Sequence, residues 1–196
     1  MTVVGIEGQA IHIDGAPTYP GRRFEGHPIE GLLFNVRAVQ ASYDDANPQT
    51  RTYWAYPDTG EWDPDRNTAA FCEALPAWRA HGVLGFTVNL QGGGPLYVPE
   101  IYRAYDNNGF TPVGDLKPDY AGRLSRVLER ADELGMVAIV GLFYWVSLGR
   151  MAGEDAIWRA ARQGLAFLRD SGHENVLVEV ANEVDVVYRR TGLAMF

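Results

Sequence analysis

Apolar and polar positions divide the chain into a short alternating start and a longer rhythmic remainder. Residues 3–14 alternate apolar and polar and end at Asp14-Gly15, the pattern of a small β-hairpin ahead of the main domain. The stretch 19–28 holds two Gly and two Pro and reads as loop. After it, apolar runs of strand length alternate with stretches of helical spacing. Strands are expected over 31–40, 84–90, 136–143 and 175–181. Helices are expected from Asn67 or Thr68, as cap, to about His81, from Pro118 to Leu134, and over 154–170. In the second of these, Leu124, Val127, Leu128, Ala131 and Leu134 recur at three and four. Gly82, Gly135 and Gly172 follow the three helices, where a left-handed C-cap is favoured. Pro76 inside the first helix predicts a kink or a late start.

The order is hairpin, then β-α-β-α-β-α-β. Strands apolar on both faces, separated by helices, imply a parallel sheet. An open doubly wound sheet would place a Gly-rich turn directly after its first strand. Here Gln40-Ala-Ser-Tyr-Asp-Asp45 follows, and no Gly occurs until Gly60. The long polar-aromatic loops, 42–66 and 92–116, both follow strand C-termini, whereas the returns from helix to strand are short. That asymmetry suits a barrel with its site on the C-terminal face. The expectation is a parallel (β/α) barrel limited to its first four strands, a half barrel, with residues 1–28 as hairpin and loop and 29–196 as barrel. A whole barrel needs eight units and roughly 250 residues. Half of one leaves two open strand edges, which invite self-association.

Composition narrows the function classes. With 17 Lys+Arg against 25 Asp+Glu the net charge is −8, and no basic cluster exceeds two residues, which argues against nucleic acid and anionic membranes as partners. Cys72 is alone and is read as a small core residue. The N-terminus shows no basic and apolar leader, and no run approaches the about 20 apolar residues of a membrane span, so a cytoplasmic protein is the expectation. Of the histidines, His12 falls in the hairpin, His27 in the early loop, and His81 and His173 at helix-to-strand turns, so no metal site is expected. Lys117, the one lysine, starts a helix, which disfavours Schiff-base chemistry. No G-x-S-x-G occurs.

Carboxylate chemistry with amide and aromatic neighbours remains. The strand ends offer Asn89 and Gln91, Tyr144 and Trp145, and Asn182-Glu183 with Asp185. Asn89 and Gln91 are read as lining a substrate site; Tyr144 and Trp145 either as a sugar platform or as packing at the barrel top. Asp44-Asp45 read as solvated loop carboxylates, and Trp54, Tyr56 and Trp62 either wall a cleft or staple their loop. Glu179 and Glu183 share a face of the fourth strand but stand roughly 13 Å apart, too far for a glycosidase pair, so Glu179 reads as a structural carboxylate with Arg37 as candidate partner.

Val178-Glu-Val-Ala-Asn-Glu183 resembles the fourth-strand motif of clan A glycoside hydrolases, the cellulase-like (β/α)8 barrels. Ile13-Asp-Gly-Ala-Pro17 resembles the small β cap often preceding such barrels. The resemblance implies a retaining β-glycosidase acting on a carbohydrate without a cofactor, with Glu183 as acid/base and Asn182 bonding the sugar 2-hydroxyl. The clan's nucleophile, a Glu ending the seventh strand, has no counterpart in this chain. Its Arg after strand two and its His near strand three are replaced by Asn89 and Gln91 and by Tyr144-Trp145. The chain is therefore read as an incomplete or inactive piece of such an enzyme. The rival readings are a non-catalytic carbohydrate-binding barrel and a different barrel enzyme, such as an isomerase with Glu183 as base.

Overall fold

The structure, a computed structural model, describes residues 1–92 and 104–182. It opens with β1 (Val4–Glu7), β2 (Ala10–Ile13) and β3 (Ala16–Pro17), paired antiparallel in that order. The β2–β3 turn is Asp14-Gly15 with φ of 52° and 78°, the paired positive φ of a tight hairpin turn that Asp-Gly tolerates best. A second small ladder joins β4 (Arg23–Phe24) to β5 (His27–Pro28). Hydrogen bonds fasten this region to the main domain, among them Val4 N–H to the Glu174 carbonyl (2.9 Å), Ile11 N–H to Gly31 (2.8 Å), Tyr19 hydroxyl to Gly82 (2.8 Å) and Thr2 hydroxyl to Asp132 (2.8 Å). Glu174, Gly82 and Asp132 lie where helices end or return to strands, so the antiparallel sheet covers that end of the domain.

The main domain is a four-stranded parallel sheet, β6 (Asn35–Arg37), β7 (Gly85–Asn89), β8 (Val137–Tyr144) and β9 (Val176–Asn182), ordered as in the sequence. The crossovers carry α2 (Pro64–Ala80), α3 (Pro118–Glu133) and α5 (Glu154–Asp170); the short helices α1 (Pro48–Arg51) and α4 (Trp145–Leu148) lie in the loops after β6 and β8. No closed barrel is seen among the described residues: β6 and β9 are the two edges of this sheet.

Partnered residues of parallel strands share a face. Phe86, Val88, Ala138, Val140 and Leu142 occupy one, together with Leu90 just beyond β7, and pack with Leu75, Leu124, Val127, Leu128, Ala131, Ala160 and Leu168 of the helices in one core. Each such large side chain contributes about 1.5–3 kcal/mol by leaving water. Gly164 lets α5 approach closely, since a methyl group there would lie 3.1 Å from Leu142 Cδ2. The other face carries Arg37, Thr87, Asn89, Ile139, Gly141, Glu179 and Ala181.

The structure differs from the sequence reading at residues 19–28, expected as loop but holding the β4–β5 ladder, and at two larger elements. The first parallel strand is three residues long rather than ten, because its flanks bond elsewhere: Gly31 N–H to Thr18, Leu32 N–H to Ile29, and Ala41 N–H to Ala38. Helix α2 begins at Pro64, capped by Asp63, whose Oδ1 accepts from Asp65 and Arg66 N–H at 2.9 and 3.0 Å. The expected caps, Asn67 and Thr68, instead donate their side chains to the Gln40 and Ala41 carbonyls, both at 2.9 Å. The helix continues through Pro76. Cys72 is half-buried, and burial raises its thiol pKa. No helix among the described residues is long and apolar enough to cross a membrane.

Candidate functional site

The loops after β6 and β7 are locked together by one carboxylate. Asp45 is fully buried. Its Oδ1 accepts from Asn47 N–H (3.0 Å) and Asp106 N–H (2.8 Å), its Oδ2 from the Thr50 hydroxyl (2.6 Å) and Trp54 Nε1 (2.8 Å). Asp44 beside it accepts from Arg51 Nη1 (2.7 Å) and Trp62 Nε1 (3.1 Å). The sequence reading of this pair as solvated is therefore corrected. Four donors within bonding distance satisfy the lone pairs of Asp45 as fully as water would, and this makes its burial tolerable. Tyr43 stands edge-on to Trp54 and Trp62, with centroids 5.2 and 5.6 Å away, and Tyr56 stacks on Trp62 at 5.8 Å. The indole N–H groups are taken by the carboxylates, so Trp54 and Trp62 staple the loop.

The lock extends to later loops. Ala46 N–H bonds the Asp106 carbonyl (3.0 Å), and Asn47 Nδ2 the Ala104 carbonyl (2.7 Å). The Tyr120 hydroxyl bonds Asn107 Oδ1 (3.0 Å) and the Asp44 carbonyl (2.9 Å). Ser147, in the loop after β8, donates to the Asn107 carbonyl (3.2 Å), and Arg150 pairs with Asp106 (2.7 Å).

Burial, with the nearby Asp45 charge second, pushes the Tyr43 phenol well above its ordinary pKa; burial and then Asp44 do the same for Tyr120. An unfolded chain releases these protons near pH 10.0, whereas the folded one keeps them. The unfolded state then binds fewer protons, so stability is intact below about pH 10 and falls as pH rises further. Absorbance at 295 nm should show Tyr43 and Tyr120 ionising only as the fold is lost. Titration of every tyrosine near pH 10 with native circular dichroism would refute this.

At the strand ends the expected site residues fall into different environments. Gln91 is fully buried and works as an internal tie: Nε2 donates to Asn108 Oδ1 (3.2 Å) and Oε1 accepts from Tyr144 N–H (3.1 Å). Tyr144 ends β8, nearly buried, with its ring tilted against Trp145 at 5.7 Å; Trp145, half-buried, opens α4. These contacts are packing at the rim.

Asn89 ends β7 and is 2% exposed, yet neither amide atom has a hydrogen-bond partner among the described residues. It lies over Gly141, where a methyl group would come within 2.6 Å of Asn89 Oδ1. Asn89, Gly141 and Glu179 form one register row across three strands, and the glycine leaves the room that the Asn89 amide occupies. Two buried unmatched polar atoms cost about 1–3 kcal/mol each.

Asn182 ends β9 and is 6% exposed. Its Oδ1 accepts from Arg37 Nη2, at the end of β6 on the far edge of the sheet. Arg37 therefore does not serve Glu179, and the ion pairs of the described residues include no such pair. Sequence parity suggested Glu179 as partner because it ignored the stagger between strands. Glu183 and Asp185 lie outside the described residues.

A cavity of about 720 Å³ lies at the opposite end, between the antiparallel sheet and the end of α2, and is lined by Tyr19, Arg22, Phe34 and Arg79. It contains none of the strand-end residues. Among the described residues no group of His, Cys, Asp and Glu is placed to hold a metal.

No protein-family model matches the chain, and no curated protein matches it. Among solved structures it is similar to "a putative glycoside hydrolase from Bacteroides vulgatus ATCC 8482", with a TM-score of 0.52 and 14% identity. The match covers 96% of this chain and 34% of that one, so the chain spans about a third of that neighbour's length. At this identity the likeness is one of fold alone: a mixed α/β arrangement with a four-stranded parallel sheet.

Proposed function

We propose that the chain is the first half of a (β/α) barrel of glycosidase type, with its site at the C-terminal ends of the strands. The bond between Arg37 and Asn182 carries the reading. Through successive partners, Arg37 stands level with Thr87, Ile139 and Leu177, and Asn182 is five residues beyond Leu177. On a flat sheet those positions would be separated by about 14 Å across the strands and 16 Å along them, far beyond an arginine's reach. A sheet both curled and staggered, as barrel strands are, brings them together.

In this reading Asn182 and the orphaned amide of Asn89 face a sugar, and Glu183 follows Asn182 at the mouth. Glu183 protonates the departing glycosidic oxygen and then activates water, as in a retaining β-glycosidase. One observation favours a second reading, a carbohydrate-binding barrel without turnover: the described strand-end residues Arg37, Asn89, Gln91, Tyr144 and Asn182 include no carboxylate. Incubation with aryl β-glycosides separates the two. Release of the aryl group that falls at least 100-fold in Glu183→Gln is the outcome expected for the hydrolase. Saturable binding of β-glucan oligosaccharides without release establishes the binding reading, and absence of both sinks the site.

A further inference from the structure

We infer that Arg37 is a positioning residue that fixes which way the Asn182 amide faces, so that its NH₂ group is presented to a ligand hydroxyl. The inference deepens the strand-end reading above and rests on it for the identity of the ligand. A guanidinium carries donors and no acceptor. The Asn182 atom meeting Arg37 Nη2 is therefore the oxygen. The flipped amide would set two donors against each other, one of them on the nearly buried Asn182. Arg37 is itself exposed, so water can take part of its donor capacity, and the preference for the observed orientation is about 10-fold. With Oδ1 taken, Nδ2 makes no bond to the described residues and is left as the group a ligand oxygen can meet.

The electrostatics point the same way. Arg51, Arg66, Arg126, Arg130, Arg150, Arg159 and Arg169 each pair with a carboxylate. Arg37 has no carboxylate partner among the described residues and meets a neutral amide. A bond to one neutral oxygen does little to bind two strand edges together. As a donor-only neighbour, however, it dictates the amide's direction.

The substitutions Arg37→Lys and Arg37→Gln separate orientation from mere tying. Lysine is also donor-only and keeps the oxygen facing it. Glutamine is an amide and can bond Asn182 in either orientation, so it preserves a tie while abolishing the preference. Cellotetraose binding by calorimetry, thermal unfolding, and the ¹⁵N side-chain amide signals of Asn182 (identified by their loss in Asn182→Asp) are measured in the full chain. The expected result is Arg37→Lys within about 3-fold of wild type in affinity, and Arg37→Gln weaker by about 10-fold with shifted or doubled Asn182 signals and an unchanged unfolding temperature. Equal affinity in wild type and Arg37→Gln overturns the inference, as does Arg37→Lys falling as far as Arg37→Gln. If wild type binds no β-glucan, the glycosidase reading is what fails. The Asn182 signals then decide the inference: a change confined to Arg37→Gln upholds it, and identical spectra overturn it.

Discussion

Replacing Asp45 by alanine is expected to lower the unfolding free energy by about 3–5 kcal/mol, the usual cost of removing one partner from a buried charged network. Four donors lose their acceptor at once: the backbone N–H groups of Asn47 and Asp106, the Thr50 hydroxyl and the Trp54 indole. The Thr50 bond is fully buried and the other three are partly so. Asp45→Asn is expected to cost less but still about 2 kcal/mol, since the amide keeps one acceptor and turns a donor toward donors. Guanidinium unfolding followed by tryptophan fluorescence measures both effects. Trp54 and Trp62 report directly on the loop, so a red-shifted native baseline should accompany the lower midpoint. A loss under 1 kcal/mol in Asp45→Ala would show that the carboxylate is dispensable.

The second large effect is expected at Gly114. Its φ is +92°, and a methyl group there would lie 2.2 Å from the Ala156 carbonyl oxygen and 3.0 Å from the Ala160 nitrogen, both backbone atoms of α5. Gly114→Ala therefore combines a left-handed backbone penalty of about 1–2 kcal/mol with an overpacking cost of about 1–3 kcal/mol. Gly60 isolates the first contribution, having a φ of +71° and nothing within 4 Å of an added methyl group. Thermal unfolding should place Gly60→Ala modestly below wild type and Gly114→Ala well below it. Equal shifts would mean that the loop carrying Gly114 yields freely and does not brace α5.

How far the sequence could foresee this varies with the range of the interactions. Helix α5 carries local signals at both ends, acidic residues in its first turn and a Gly beyond its last, and its bounds are those expected. Helix α3, opened by Pro118, is equally legible. Helix α2 carried a local signal too, Asp63-Pro64, but Asn67 and Thr68 have the same cap chemistry, and only tertiary structure assigns them to the Gln40 and Ala41 carbonyls. The first parallel strand looked long because its flanks are apolar; their bonds run to the antiparallel sheet and to turns. Asp44-Asp45 was opaque, since a carboxylate's burial depends on donors drawn from positions 47, 50, 54 and 106. The part played by Arg37 was hidden for a related reason. Period-two alternation names the residues on one face of a strand and carries no information about stagger across three neighbours.

The interlocked rim constrains how such a protein can be diversified. The segment after β6 reaches the one after β7 through Asp45, Ala46 and Asn47, and the latter reaches the segment after β8 through Asn107 and Asp106. An insertion in any one of them displaces acceptors on which the others depend. Lineages or designers seeking a new ligand preference must then exchange these three segments as a set, because grafting them singly breaks the frame that holds the strand tips in place.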